Sequence, residues 1–223
     1  HFKNTPVRKA YYPGAQGRYD AFLKQYPNAV TLGERSENVV PWTIFPDVPA
    51  KEGEYALNTE AFCAVLAVTH LDGYTDATDY LNKAVDFCNE HIWGTLSMTM
   101  LIDDRTRKSM GGAFDDAIAK LKYGGIGVNV WAGVVYGLVT TTWGAHPGHT
   151  LEDIRSGRGI VHNALLIDHP EKSVVYAPFL MKPTPPWFCD HKNLPNMGRA
   201  LTNFEASQSI LSVPRLAFNA FKG

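Results

Sequence analysis

The sequence predicts an α/β fold, a three-layer arrangement with a mainly parallel sheet flanked by helices. Two patterns carry that expectation. Ala64-Val65-Leu66-Ala67-Val68 is a near-continuous apolar run, as found in strands buried on both faces. After it, strand-like and helix-like segments alternate at lengths suited to consecutive βαβ units, whose crossovers are right-handed and whose strands lie parallel.

Taken in order, Tyr19, Phe22, Leu23 and Tyr26 recur at helical spacing after Gly17, and Pro27 ends the pattern. Ala29 to Leu32 reads as a short strand closing on Gly33. Val39 to Phe45 looks extended, but Pro41, Pro46 and Pro49 assign it to an edge strand and surface loop. Beyond Asp72-Gly73 a helix opens near Thr75 or Asp76, with Ala77, Tyr80, Leu81, Ala84 and Cys88 on one face, and stops at Gly94. Thr95 to Ile102 is again strand-like. A second amphipathic helix then turns Met110, Ala113, Phe114, Ala117 and Leu121 inward, with Gly124-Gly125 read as its C-cap. Ile126 to Val130 makes a further strand.

Past residue 131 the regularity fades into a Gly-rich and Pro-rich region holding one extended stretch, Ser173 to Tyr176, and a stiff Pro183-Thr184-Pro185-Pro186. Leu194 to Gly223 reads as helical, with Pro214 in a first-turn position after Ser212. The expected organisation is one domain over residues 1–186 and a C-terminal, partly helical extension over 187–223.

Composition excludes several function classes. With 45% apolar residues in 223 the chain can fill a core. A net charge of -1 and a sequence pI near 6.8 leave no electrostatic footprint for nucleic acid or an anionic membrane. The longest apolar stretch, Ile126 to Val139, is broken by Gly127, Asn129, Gly133 and Gly137 and falls short of the roughly 20 residues a bilayer span needs. Cys63, Cys88 and Cys189 are odd in number and irregularly spaced, which fits reduced thiols and a cytoplasmic or organelle-matrix location. The opening His1-Phe2-Lys3-Asn4, without an initiator Met or a secretory leader pattern, reads as a start in mid-protein.

An ordered set of landmarks then carries a family resemblance. Glu60-Ala61-Phe62-Cys63-Ala64-Val65-Leu66 resembles the Glu-x-Phe-Gly-Pro-Val segment of the aldehyde dehydrogenase superfamily. Phe87-Cys88-Asn89-Glu90 to Gly94-Thr95-Leu96-Ser97 sits where that family has an Asn, a Tyr-Gly-Leu and a strand. Leu121 to Asn129 resembles its Gly-x-x-x-Asn strand, and Trp143-Gly144-Ala145 its Pro-Phe-Gly-Gly. Glu171 to Pro178 resembles the late strand that completes an oligomerisation sheet. The likeness runs over roughly residues 5 to 180. It departs where Cys63-Ala64 replaces Gly-Pro, where the stretch from Asn129 to Trp143 is longer, and over 187–223, which have no counterpart.

The resemblance implies a fragment of an NAD(P)-dependent aldehyde dehydrogenase, the C-terminal portion of the catalytic domain of a divergent member. In that family a cysteine thiolate attacks the aldehyde, hydride passes to the nicotinamide, and water hydrolyses the thioester. The nucleophile lies on the order of a hundred residues before the Glu-x-Phe segment, so it and the N-terminal cofactor-binding segment would lie upstream. No catalytic residue is therefore assigned within the chain. The piece is expected to be inactive and to bind no NAD or NADP by itself. By position, Glu60 is similar to the carboxylate that holds the nicotinamide ribose hydroxyls, and Phe62 to the aromatic beside the nicotinamide. Trp131, Trp143 and Asn129 are assigned to the substrate entrance. The bland alternative makes Glu60 an exposed loop acid and the aromatics packing residues.

The same resemblance implies a homo-oligomer built through the strand near 171–179. A rival reading from another class is a non-enzymatic assembly module on the same fold, using Val174 to Tyr176 to extend a partner's sheet. Cys63 as a stand-alone nucleophile is disfavoured, because it stands at a glycine position of the family pattern and has no identifiable base. His146, His149, His162 and His169 lack a third ligand at metal-site spacing and read as solvated. Gly124-Gly125-Ile126-Gly127 precedes a strand instead of opening a helix, so it is no dinucleotide fingerprint.

Overall fold

The computed structural model describes residues 1–181, 185, 188 and 191–222. Cys189 and most of the Pro183–Pro186 stretch lie outside the described residues, as does the expected boundary at 186/187.

Tyr19 and Phe22 are buried one turn apart on α1 (Ala15–Gln25), which Pro27 prevents from continuing. The chain then forms β1 (Val30–Leu32) and β2 (Trp42–Phe45), antiparallel with Val30 opposite Ile44. A single turn, α2 (Tyr55–Asn58), leads to β3 (Val65–Ala67), which lies parallel to β2. The order β1-β2-β3 makes β2 the central strand, where the prolines had suggested an edge. Pro41 precedes β2 and Pro46 follows it, so neither removes a ladder donor within the strand. Phe45 is fully buried and stacks on Phe22 at 5.8 Å between centroids, with Tyr26 against it at 4.9 Å.

Asp76 opens α3 (Ala77–His91) by accepting from the backbone N–H of Thr78 and Asp79, two of the donors a helix start leaves free. Next come β4 (Ser97–Met100), α4 (Asp104–Met110), α5 (Gly112–Lys120) and β5 (Gly125–Val128). Gly111, at φ 53, breaks the second predicted helix into α4 and α5. α6 (Gly133–Gly137) and the short antiparallel pair β6 (Trp143–Gly144) and β7 (Ile160–Val161) follow, before β8 (Ser173–Tyr176).

The second sheet has the order β4-β5-β8 and all its pairs are parallel. Successive side chains of β5 point to opposite faces. Ile126 and Val128 enter the core with Leu81 and Val85 of α3 and Phe114, Ala117 and Ile118 of α5. Gly125 and Gly127 face the other side, where α6 and β6 pack. Helices on both faces of a parallel sheet make three layers. Each large apolar side chain buried here contributes about 1.5–3 kcal/mol relative to exposure.

Two sequence expectations are corrected. β3 does not join β4 and β5 as a run of βαβ units, because its backbone is tied to β2, with Thr43 N–H donating to Ala64 O and Val68 N–H to Phe45 O. Gly124-Gly125 is not a helix C-cap either. α5 ends at Leu121 with φ -63, and the two glycines are bare because β6 lies against them: a Cβ on Gly124 would stand 1.8 Å from Gly144 O.

At the C-terminal end, α7 (Leu194–Ser207) and α8 (Val213–Phe221) fold back on each other, with Pro214 in the first turn of α8. His191 Nε2 bonds Ala220 O at 2.9 Å and Asn193 Nδ2 donates to Asn219 Oδ1 at 3.0 Å, fastening the hairpin. Among the described residues no helix is long and apolar enough to cross a membrane.

Candidate functional site

The Glu60–Cys63 segment is held from α1. Arg18 Nε donates to Ala61 O at 2.8 Å, its second nitrogen to Pro13 O at 2.9 Å, and its third reaches Phe62 O at 3.4 Å. The guanidinium also lies 5.7 Å from the centre of the Phe62 ring, whose edge meets Tyr12 at 5.0 Å. Phe62 adopts φ 43, a left-handed conformation that costs a non-glycine residue about 1–2 kcal/mol. Such strain persists only where neighbours over-determine it, and the Arg18 bonds on either carbonyl do that.

This fixing leaves two groups on offer. Glu60 is exposed, and its carboxylate makes no hydrogen bond or ion pair among the described residues. Phe62 keeps 47% of its surface exposed. Beside it a cavity of about 340 Å³ is lined by Arg8, Lys9, Tyr12, Trp42, Phe62 and Cys63. Trp42 Nε1 is satisfied by Thr5 O at 3.2 Å. Burial pushes the Cys63 thiol up, with Arg18 partly opposing, so the thiol resists forming the nucleophilic thiolate at neutral pH.

The three residues assigned to an entrance fall in two places. Asn129 follows the last residue of β5 in a left-handed conformation, φ 59, and is 7% exposed. Its amide bonds both backbone groups of Ile102, so its polar atoms are committed to joining the C-terminal ends of β4 and β5. Trp131, 60% exposed, folds its indole over Gly133 beside that same end. Open parallel sheets present ligand crevices at these strand ends. Trp143 instead lies over Gly125 at the start of β5 and packs its edge on Tyr136 at 5.7 Å. The length of β5 thus separates Trp143 from Asn129 and Trp131, about 13 Å at a strand's rise per residue. Among the described residues no ring contact joins the two tryptophans, nor either of them to Phe62.

Sequence reasoning missed Arg18 and Tyr12. Both lie more than forty residues before the motif they support, Arg18 on α1 and Tyr12 in the segment leading into it. Among the described residues no cluster of three or more His, Cys, Asp or Glu side chains is placed to hold a metal. His149 Nε2 bonds Thr95 Oγ1 at 2.6 Å, and His146 Nδ1 lies 3.0 Å from Pro147 O.

Compared with known proteins, the chain matches no family model, no curated sequence and no solved structure.

Proposed function

We propose that the chain is the cleft-wall portion of an NAD(P)-dependent aldehyde dehydrogenase, which in the intact protein oxidises an aldehyde to a carboxylic acid. On this reading the fold is that of the family's catalytic domain. The observation that carries it is the Arg18-anchored segment bearing an unpartnered Glu60 and a half-exposed Phe62 in a left-handed turn. A carboxylate free of protein partners can accept both ribose hydroxyls of a nicotinamide nucleotide, and a fixed phenyl limits sliding of the ring. The chain holds, orients and excludes water from the nucleotide; the thiolate and the general base would come from an upstream segment. The cofactor, NAD or NADP, belongs mainly to that segment, and the piece alone turns over no aldehyde.

The test uses the intact protein. Aldehyde-dependent formation of reduced nicotinamide is expected, with kcat falling by about 10- to 100-fold in Glu60→Gln, since misplacement of a reacting group by about 1 Å costs that order. An intact protein that reduces neither NAD nor NADP with any aldehyde of a broad panel would sink the proposal. So would turnover by the 223-residue chain alone, because it would put the nucleophile within these residues.

A second reading rests on β8. It pairs with β5 along one edge only, and its outer edge carries no strand partner among the described residues. An open edge of this kind can accept another strand. It supports a non-enzymatic assembly module, or equally a homo-oligomer of the enzyme. The enzyme assay above separates the two.

A further inference from the structure

Thr95, just before β4, ties two loops together. Its carbonyl accepts from the N–H of His146 and of Gly124, both at 3.0 Å, and its own N–H donates to Ser156 Oγ at 2.8 Å. Its Oγ1 meets His149 Nε2 at 2.6 Å. Between the loops lies a cavity of about 250 Å³ walled by His146, Gly148, His149, Gly157, Arg158 and Pro170. A second cavity, of about 290 Å³, shares Arg158 and continues to Ser156 and Trp143. Gly148 and Gly157 have φ 118 and 121, which side chains rarely adopt, and nothing stands within 4 Å of a Cβ built on either. The glycines set the loop path and leave the wall open.

The charge of this wall is one-sided. No Asp or Glu lines either cavity, although the chain carries 22 acids against 21 Lys and Arg. The neighbouring acids are engaged: Asp153 with Arg155 Nε at 3.0 Å, and Glu171 facing His146 Nε2 at 3.4 Å from the rim. Arg158 makes no side-chain hydrogen bond or ion pair among the described residues. His149 Nδ1 has no partner among the described residues, and in the tautomer whose Nε2 accepts from Thr95 Oγ1 it carries the ring proton as a donor.

We propose that this cavity binds a phosphate-class oxyanion, either the free ion or the terminal group of a small phosphate monoester, with Arg158 as the main contact and His149 as a second donor. A planar guanidinium fork beside an imidazole N–H suits a tetrahedral oxyanion. The volume admits a phosphate and a few carbons beyond it. The site lies toward the N-terminal ends of β4 and β5, the opposite end of the sheet from Asn129 and Trp131, so its failure leaves the enzyme reading untouched.

Inorganic phosphate and glycerol 3-phosphate are titrated by calorimetry into the whole chain at constant ionic strength. Saturable binding of at least one, weakened about tenfold or more in Arg158→Ala, is expected, since loss of one charge-assisted contact is worth that factor. Arg105→Ala, which removes an exposed guanidinium elsewhere, keeps wild-type affinity, and circular dichroism checks that both variants are folded. Tighter phosphate identifies the free ion as the ligand, and tighter glycerol 3-phosphate a monoester. No saturable heat with either probe, or equal affinity in Arg158→Ala, overturns the proposal.

Discussion

The side-chain amide of Asn129 clamps the backbone of Ile102 at two points, accepting from its N–H and donating to its carbonyl, each at 2.9 Å. Ile102 follows β4 and Asn129 follows β5, so one side chain replaces the next rung of the ladder where the two parallel strands part. The amide of Asn129, assigned from sequence to a substrate entrance, is thus committed to this clamp.

Asn129→Ala should destabilise the chain by about 2–4 kcal/mol, because two half-buried backbone groups lose their partner and a Cβ residue without a compensating amide is left in the left-handed region. Asn129→Gly removes the same bonds without the conformational penalty, and should be less damaging than Ala by about 1 kcal/mol. Asn129→Asp retains an acceptor for Ile102 N–H but cannot donate to its carbonyl when ionised. Urea denaturation of the three variants reads this order; a Gly variant no better than Ala would show that the left-handed backbone contributes nothing.

The glycines before β5 predict a sharper contrast. A Cβ on Gly124 would meet Gly144 O at 1.8 Å, and one on Gly125 would meet the Trp143 ring at 2.9 Å. The first obstacle is backbone and cannot rotate away, whereas the second is a side chain that can shift. Gly124→Ala should therefore cost about 3 kcal/mol or more, and Gly125→Ala less, within the usual range for overpacking. Gly112, at the start of α5, has nothing within 4 Å of its Cβ position, and Gly112→Ala should stabilise by about 0.4–1 kcal/mol through helix propensity and the unfolded state. Thermal melts of the three variants check the ranking.

These residues also mark what the sequence can reveal. α3 is legible because Asp76 caps it and Leu81 lies on its apolar face, both local signals, although the buried partner of Leu81 is Val85 and the expected Tyr80 is 44% exposed. Ala64 to Val68 read as a strand buried on both faces, but β3 is only partly covered and Leu66 is 47% exposed. The pairing of β3 with β2 was not legible, since strand partners 22 residues apart, such as Thr43 and Val65, leave no trace in either strand's pattern. Gly124 was misread for a related reason. A glycine pair after a helix serves equally as a left-handed cap or as clearance for another chain segment, and only β6, about twenty residues later, decides between them. Arg18 and the Glu60 segment met the same limit, because their contact spans 43 residues.

Tyr26 gives the chain a defined alkaline response. Its hydroxyl donates to Glu54 Oε1 at 2.5 Å and accepts from Ala56 N–H at 2.8 Å, joining α1 to α2. Burial, then the bond to Glu54, lifts the phenol from 10.0 to about 12. The folded state therefore holds this proton more tightly than the unfolded state. The associated stability is fully present below the ordinary phenol value and is lost as pH rises from 10 toward 12. Tyr26→Phe should be less stable at neutral pH and should show a smaller decline across that window. Equal slopes of stability against pH between pH 10 and 12 in the two proteins would contradict the assignment to Tyr26.

Cys63 supplies the last prediction, and it separates a packing thiol from a catalytic one. Burial raises both Cys63 and Cys88, but only Cys63 feels an opposing cation, Arg18. Alkylation requires the thiolate, so iodoacetamide should label both slowly at neutral pH, with Cys63 the faster and both rates climbing beyond the ordinary thiol range. Replacing Arg18 by Met should slow Cys63 and leave Cys88 unchanged, since the cation acts on the first alone. Peptide mapping after timed labelling resolves each site, including Cys189. Rapid, selective labelling of Cys63 at pH 7, insensitive to Arg18, would require a base that the described residues do not provide, and would reopen a stand-alone cysteine chemistry for this chain.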